Sequence, residues 1–174
     1  MSADFNTEIK AKGTKEELQN IINAVMGFND FCKANNKEYH IDLEYLKLVD
    51  GDNAENFISG DKITEKEIAD FLETVKEELL ISFEGPYGRF VRLIEVCLFD
   101  YLAQAVPTIC FEGEIYGFSG TADQTLKAVY KKGVLSVKDK YIDIDDKKNK
   151  STITIKYNPN NGYASFYNLF FQQN

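Results

Sequence analysis

Polar and apolar positions alternate over residues 3–12, where Phe5, Thr7, Ile9 and Ala11 fall on one side and polar side chains on the other. That period of two predicts a half-buried strand. Gly13 ends it. Thr14-Lys15-Glu16-Glu17 is then a capping box, in which the Thr14 and Glu17 side chains each satisfy a free backbone N–H. Leu18, Ile21, Ile22, Val25 and Cys32 follow at helical spacing, so an amphipathic helix is expected to about Lys33. Asn35-Asn36 breaks it. Residues 39–49 read as a second strand with a slip in phase. Ile41, Leu43 and Tyr45 alternate, but Leu46 and Leu48 fall on the other side, which predicts a bulge or short helical turn near Tyr45.

Residues 50–61 read as a polar loop. Thr64-Glu65-Lys66-Glu67 is a second capping box, with Ile63 and Ile68 placed to form a hydrophobic staple. Ile68, Phe71, Leu72, Val75 and Leu79 mark one helical face. A strand at 79–84 leads to a tight turn at Gly85-Pro86-Tyr87-Gly88. Residues 90–105 are apolar almost all round, as expected of a helix buried on most sides.

After Thr108 the period changes from 3.6 to 2. Strands are expected at 108–118, 125–130, 134–144 and 151–157, with one more at 163–171. Lys131-Lys132-Gly133 and residues 147–150 read as hairpin turns. Helices before residue 106 and a strand meander after it predict one α+β domain over residues 1–174. Its expected architecture is an antiparallel sheet, ferredoxin-like or a related meander, with about three helices packed mainly on one face. Ile81-Ser82-Phe83-Glu84-Gly85 and Ile109-Cys110-Phe111-Glu112-Gly113 echo each other, as two equivalent strands flanking the central helix would in a split βαβ arrangement.

Composition narrows the function classes. With 44% hydrophobic and 28% charged residues among 174, the chain has core material enough to fold without staples. No run approaches the roughly 20 apolar residues of a membrane helix. The first residues lack the basic and apolar regions of a signal peptide, and Cys32, Cys97 and Cys110 are odd in number and far apart. Together these point to a cytoplasmic protein with reduced thiols, Cys97 and Cys110 both in the core.

The formal charge of −8 disfavours a direct hold on nucleic-acid phosphate. The distribution is uneven. Residues 40–84 carry 13 Asp/Glu against 4 Lys, whereas residues 121–174 carry 9 Lys against 5 Asp/Glu. An acidic face and a mildly basic one follow.

Motifs with chemistry are few. His40 is the only histidine, which leaves no multi-histidine metal site. The cysteines show no C-x-x-C spacing. Asp50, Asp52, Glu55 and Asp61 are spaced like a calcium loop, but Glu55 stands where the loop needs Gly and Asp61 where it needs a bidentate Glu. Asp143, Asp145 and Asp146 form a second acidic group that reads as a solvated turn. No metal or cofactor is expected. Glu112 and Glu114 are two apart on one strand face, Glu84 holds the matching place in the echoed strand, and Arg89 follows the Gly-Pro-Tyr-Gly turn. With Tyr87 or Tyr116 these residues outline an alternative polar site, for a small ligand or for acid–base chemistry. A third reading places single-stranded nucleic acid on a basic sheet of Lys127, Lys131, Lys132, Lys138 and Lys140 with Tyr130 and Tyr141.

At Glu84-Gly85-Pro86-Tyr87-Gly88, Leu98-Phe99, Ala105-Val106-Pro107, Phe111-Glu112-Gly113-Glu114, Gly117-Phe118-Ser119-Gly120 and Leu126-Lys127-Ala128-Val129-Tyr130-Lys131-Lys132-Gly133-Val134-Leu135, the chain resembles an uncharacterised group of small acidic bacterial proteins found on phages and other mobile elements. The resemblance covers about the middle third and brings no catalytic residues. It implies a helper, defence or counter-defence role. The leading expectation is a non-enzymatic module whose acidic surface, Glu65, Asp70, Glu73 and Glu77, binds a basic surface on a partner protein. Inhibition of host nucleic-acid-handling machinery, in the manner of an anti-CRISPR protein, is the corresponding role. The sequence leaves the oligomeric state open.

Overall fold

The computed structural model describes residues 4–60, 62–87 and 91–160. Its elements run β1 (Asp4–Lys12), α1 (Lys15–Ala34), β2 (His40–Asp50), β3 (Asn53–Ser59), α2 (Glu65–Leu72), β4 (Glu78–Tyr87), α3 (Val91–Ala105), β5 (Cys110–Ser119), β6 (Ala122–Lys131), β7 (Val134–Asp143) and β8 (Lys150–Tyr157). All eight strands join one antiparallel sheet in the order β3-β2-β4-β1-β5-β6-β7-β8.

Helices α1 and α2 begin where the chain can satisfy its own N–H groups. Thr14 Oγ1 accepts from the Glu17 N–H at 3.2 Å, and Glu17 Oε2 accepts from the Thr14 N–H at 2.7 Å. Thr64 and Glu67 repeat the device at the start of α2. The odd-numbered residues of β1, namely Phe5, Thr7, Ile9 and Ala11, face the helices and are buried, while Asn6, Glu8, Lys10 and Lys12 face water. Ile9, Ile81 and Leu48 line up across three strands at 0% exposure, beneath Ile21, Ile22, Val25 and Phe28 of α1. Each such side chain contributes about 1.5–3 kcal/mol through burial.

β4 and β5 each pair antiparallel with β1, so they run parallel to one another and are joined through α3. Likewise β1 and β2 flank β4 and are joined through α1. The two interlocked crossovers bring α1 and α3 together. The other face of the sheet has no helix over it among the described residues.

Several expectations are corrected. The ferredoxin-like α+β arrangement does not hold: an eight-stranded antiparallel sheet dominates the molecule, against three helices of which α2 has only 8 residues. Part of the extra sheet comes from β3, which forms where a polar loop was expected. It is an edge strand whose side chains are exposed apart from half-buried Asn56 and Ile58, so it carries no clean alternation. α2 stops at Leu72 although Val75 keeps helical spacing, and Leu79 belongs to β4. Gly85, Pro86 and Tyr87 continue β4 instead of turning, with Tyr87 opposite His40 and Gly85 at φ +103°, a left-handed conformation that glycine allows. The slip expected near Tyr45 is present as an irregularity between Asp42 and Lys47. The strand expected at 163–171 lies outside the described residues. So does the aromatic cluster of Phe166, Tyr167, Leu169, Phe170 and Phe171. Among the described residues no helix is long and apolar enough to cross a membrane.

Candidate functional site

Two surfaces carry the residues singled out above. The first is an acidic ridge at the β3 edge. Glu65, Asp70, Glu73 and Glu77 are all exposed on α2 and the turn after it. The β2–β3 turn is fastened beside them: the Gly51 N–H donates to the Glu78 carbonyl at 2.8 Å, and Asn56 Nδ2 donates to Thr74 Oγ1 at 2.7 Å and to Asp50 Oδ2 at 3.3 Å. Exposed Asp52 and Glu55 thereby join Glu73 and Glu77, carboxylates from two distant stretches of chain. Lys15 Nζ meets Glu73 Oε2 at 2.5 Å. Glu67 belongs to the helix cap, where the Thr64 N–H and hydroxyl lower its pKa.

The second surface is the open face of the sheet. Here the strand register places Glu84 opposite Asn6, Glu114 opposite Glu8, and Glu112 opposite Lys10. Glu84 and Glu114 therefore share a shallow groove of about 480 Å³ with Glu8, Asn6, Ser82, Tyr45 and Tyr116. Glu112 lies further along, in a neighbouring depression with Lys10, Lys12, Cys110, Val129 and Lys131. The echoed residues Glu84 and Glu112 are thus kept apart by β1 and by the Glu8–Glu114 row. The Tyr87 hydroxyl donates to Glu84 Oε2 at 3.1 Å. Arg89 lies outside the described residues. Tyr116 donates to Asp123 at 3.3 Å, and the negative charge of Asp123 raises the phenol pKa.

Sequence reasoning missed Tyr45 and Glu8 as members of this groove. Glu8 was legible as the exposed side of β1, but only the pairing with β5 sets it against Glu114. Tyr45 reaches the groove from the irregular stretch of β2.

The other candidates resolve into structural roles. Asp50 Oδ1 accepts from the Asp52 N–H, and Asp143 Oδ1 accepts from the Asp145 and Asp146 N–H groups at 2.9 and 3.0 Å. The Asp146 N–H, with lesser help from the Asp145 N–H and Asn149, holds the Asp143 carboxyl below its usual range against the opposing effect of desolvation. These carboxylates build turns. Among the described residues no group of three or more His, Cys, Asp or Glu is arranged to hold a metal ion. Cys110 is half-exposed on the open-face side instead of in the core, Cys32 is buried, and the Cys97 side chain lies outside the described residues. Of the basic-sheet candidates, Lys127, Lys138 and Lys140 do face outward. Tyr130 is fully buried, donating to the Pro107 carbonyl at 2.7 Å, and Tyr141 turns to the helix-covered side, so neither offers these lysines a stacking platform.

No family model matches the chain, and neither does any curated protein or solved structure.

Proposed function

We propose that this chain is a non-enzymatic binding module whose acidic ridge docks on a basic surface of a partner protein. The observation that carries the reading is the Asn56–Thr74 hydrogen bond. This side-chain bond ties the β2–β3 turn, with exposed Asp52 and Glu55, to the segment after α2, where Glu73 and Glu77 are exposed close to Asp70. A preorganised row of carboxylates meets Lys or Arg side chains at little ordering cost and steers their approach through the long-range field. If the resemblance to mobile-element proteins extends to role, the partner is a nucleic-acid-handling machine whose phosphate channel the ridge occupies.

The open groove at Glu84 and Glu114 gives weaker support to catalysis. It is a shallow trough on a flat sheet, with nothing over it among the described residues to exclude water. The test is capture of a partner from nuclease-treated bacterial lysate, with elution along a salt gradient. Elution at moderate salt is expected, as is loss of capture when Glu65, Asp70 and Glu77 are all changed to Lys. Retention that ignores both salt and the triple reversal would overturn the reading.

A further inference from the structure

The open face has a pattern that emerges only when side chains are read across the sheet. One row runs Ser82, Glu8, Glu114, Lys127, Lys138, Thr154 from β4 to β8. The next runs Glu84, Asn6, Tyr116, Thr125, Lys140, Thr152. A third runs Leu80, Lys10, Glu112, Val129, Ser136, Lys156. In these rows every carboxylate lies on β4, β1 or β5, and every lysine but Lys10 lies on β6, β7 or β8. The boundary falls between β5 and β6. Along it stand three exposed apolar side chains, Tyr116, Phe118 and Val129, at 45%, 46% and 44%.

The first of these rows is acidic on one half and basic on the other, and so is complementary to itself. We propose that this face is a homodimer interface, with a second copy of this chain seated face to face about a two-fold axis parallel to the strands between β5 and β6. Rotation about that axis lays β5 over the partner's β6 and β1 over the partner's β7. Within the first row, Glu114 then faces the partner's Lys127, and Glu8 the partner's Lys138. In the second row Asn6 faces the partner's Lys140. Each pairing occurs twice, as an isologous interface requires. Two sheets stack about 10 Å apart, a gap that opposed Glu and Lys side chains span.

Tyr116 and Val129 lie beside the axis as apolar anchors, one on each side of the row in which Lys127 Nζ stands 3.5 Å from Glu114 Oε2 of its own chain. Six strands about 4.8 Å apart and roughly seven residues long, at about 3.3 Å each, offer on the order of 650 Å² per copy, near the ~800 Å² of a standard interface. No other partner is matched to this face by its own sequence. The inference is independent of the acidic ridge, which the dimer leaves uncovered on the β3 side.

Sedimentation equilibrium of the full chain tests it, at about 50 and 500 mM salt, with circular dichroism to verify folding. The wild type is expected to dimerise, with a dissociation constant at least about tenfold higher in the stronger salt. Glu8→Lys and Lys138→Glu each place like charges together, and each should weaken the dimer about tenfold or more. Combining them in one chain restores opposite charges, and dimerisation should return to within about threefold of wild type. Val129→Glu, which sets a second carboxylate against the partner's Glu112, should give monomer. A wild type that stays monomeric at several hundred micromolar in low salt overturns the proposal. So does a dimer indifferent to the single reversals, or a double variant no better than the singles. Any of these results leaves the partner-capture test on Glu65, Asp70 and Glu77 to be judged separately.

Discussion

Gly113 of β5 lies directly beneath the ring of Phe99 from α3: a Cβ built on it would stand 2.1 Å from the nearest ring carbon. Gly117, four residues on, receives the ring of its cross-strand partner Phe5 at the same 2.1 Å. The two glycines give β5 hollows that let aromatic rings lie close against the sheet on its helix side, while Glu112, Glu114, Tyr116 and Phe118 project from the other.

Gly113→Ala and Gly117→Ala should therefore each destabilise the fold by about 1–3 kcal/mol, because the added methyl must displace a packed ring. Gly27→Ala in α1 is the control. Its Cβ would meet only the Tyr101 hydroxyl, at 3.7 Å, and the change should stabilise by up to about 1 kcal/mol through helix propensity. Denaturant midpoints separate the three variants. Equal midpoints for Gly113→Ala and Gly27→Ala would contradict the packing described.

Asp100 makes stability depend on pH. It is buried on α3, accepts from the Tyr157 hydroxyl at 2.6 Å and from Gln104 Nε2 at 2.5 Å, and so ties α3 to β8. Burial raises its pKa from the ordinary 3.8, against the opposing pull of those two hydrogen bonds and of the Lys37 charge. The folded state thus holds this proton more tightly than the unfolded chain. Its contribution to stability is fullest in acid and is lost as pH climbs from about 3.8 through the raised value. Asp100→Asn resembles the protonated form. Measured by thermal unfolding from pH 3 to 7, the variant should gain on the wild type as pH rises, and a constant difference would show that Asp100 has no such shift. Tyr157→Phe should cost about 1–3 kcal/mol by leaving a buried carboxylate oxygen without its donor.

Asn29 holds β2 where the sheet does not. Ile41 falls in a register shift between His40 and Asp42, and the Asn29 side chain accepts from its N–H at 2.7 Å and donates to its carbonyl at 2.9 Å. Asn29→Ala strands both groups and is expected to cost about 1–3 kcal/mol. Amide exchange at Ile41 should accelerate more than at Leu48, which keeps its partner Ile81.

The cap of α1 does two jobs. Glu17 receives the Thr14 N–H through one oxygen and the Thr108 hydroxyl, at 2.6 Å, through the other, and the Thr108 bond does most to lower its pKa. Thr14→Ala should cost about 1 kcal/mol. Thr108→Val should bring the Glu17 titration, followed by NMR, back toward the ordinary carboxylate value while leaving helix content unchanged.

What the sequence disclosed was what is local. The caps at Thr14 and Thr64, the alternation of β1 and the phase slip near Tyr45 all depend on neighbours within a few residues. What it concealed depended on contacts from far away. β3 gains its place by pairing with β2, so its composition did not announce a strand. The end of α2 is closed by the Thr74 hydroxyl donating to the Phe71 carbonyl, while Val75 went on matching a helix it does not belong to. Alternation put Glu112 and Glu114 on one face, yet only register could show that Glu84 sits with Glu114 and apart from Glu112. The division of charge across the open face was invisible for the same reason, since its rows draw on residues as distant in the chain as Glu8 and Lys138.

The position of β1 sets a timetable for the nascent chain. Among the described strands β1 is the first to be made, yet it lies deep inside the sheet, and its neighbours β4 and β5 come only after residues 77 and 109. At roughly 5–20 residues per second, its second edge waits several seconds for a partner during translation. Through that interval an amphipathic strand stands unpaired beside the ribosome. Completion of the sheet is held back until β8, which ends at Tyr157, has emerged.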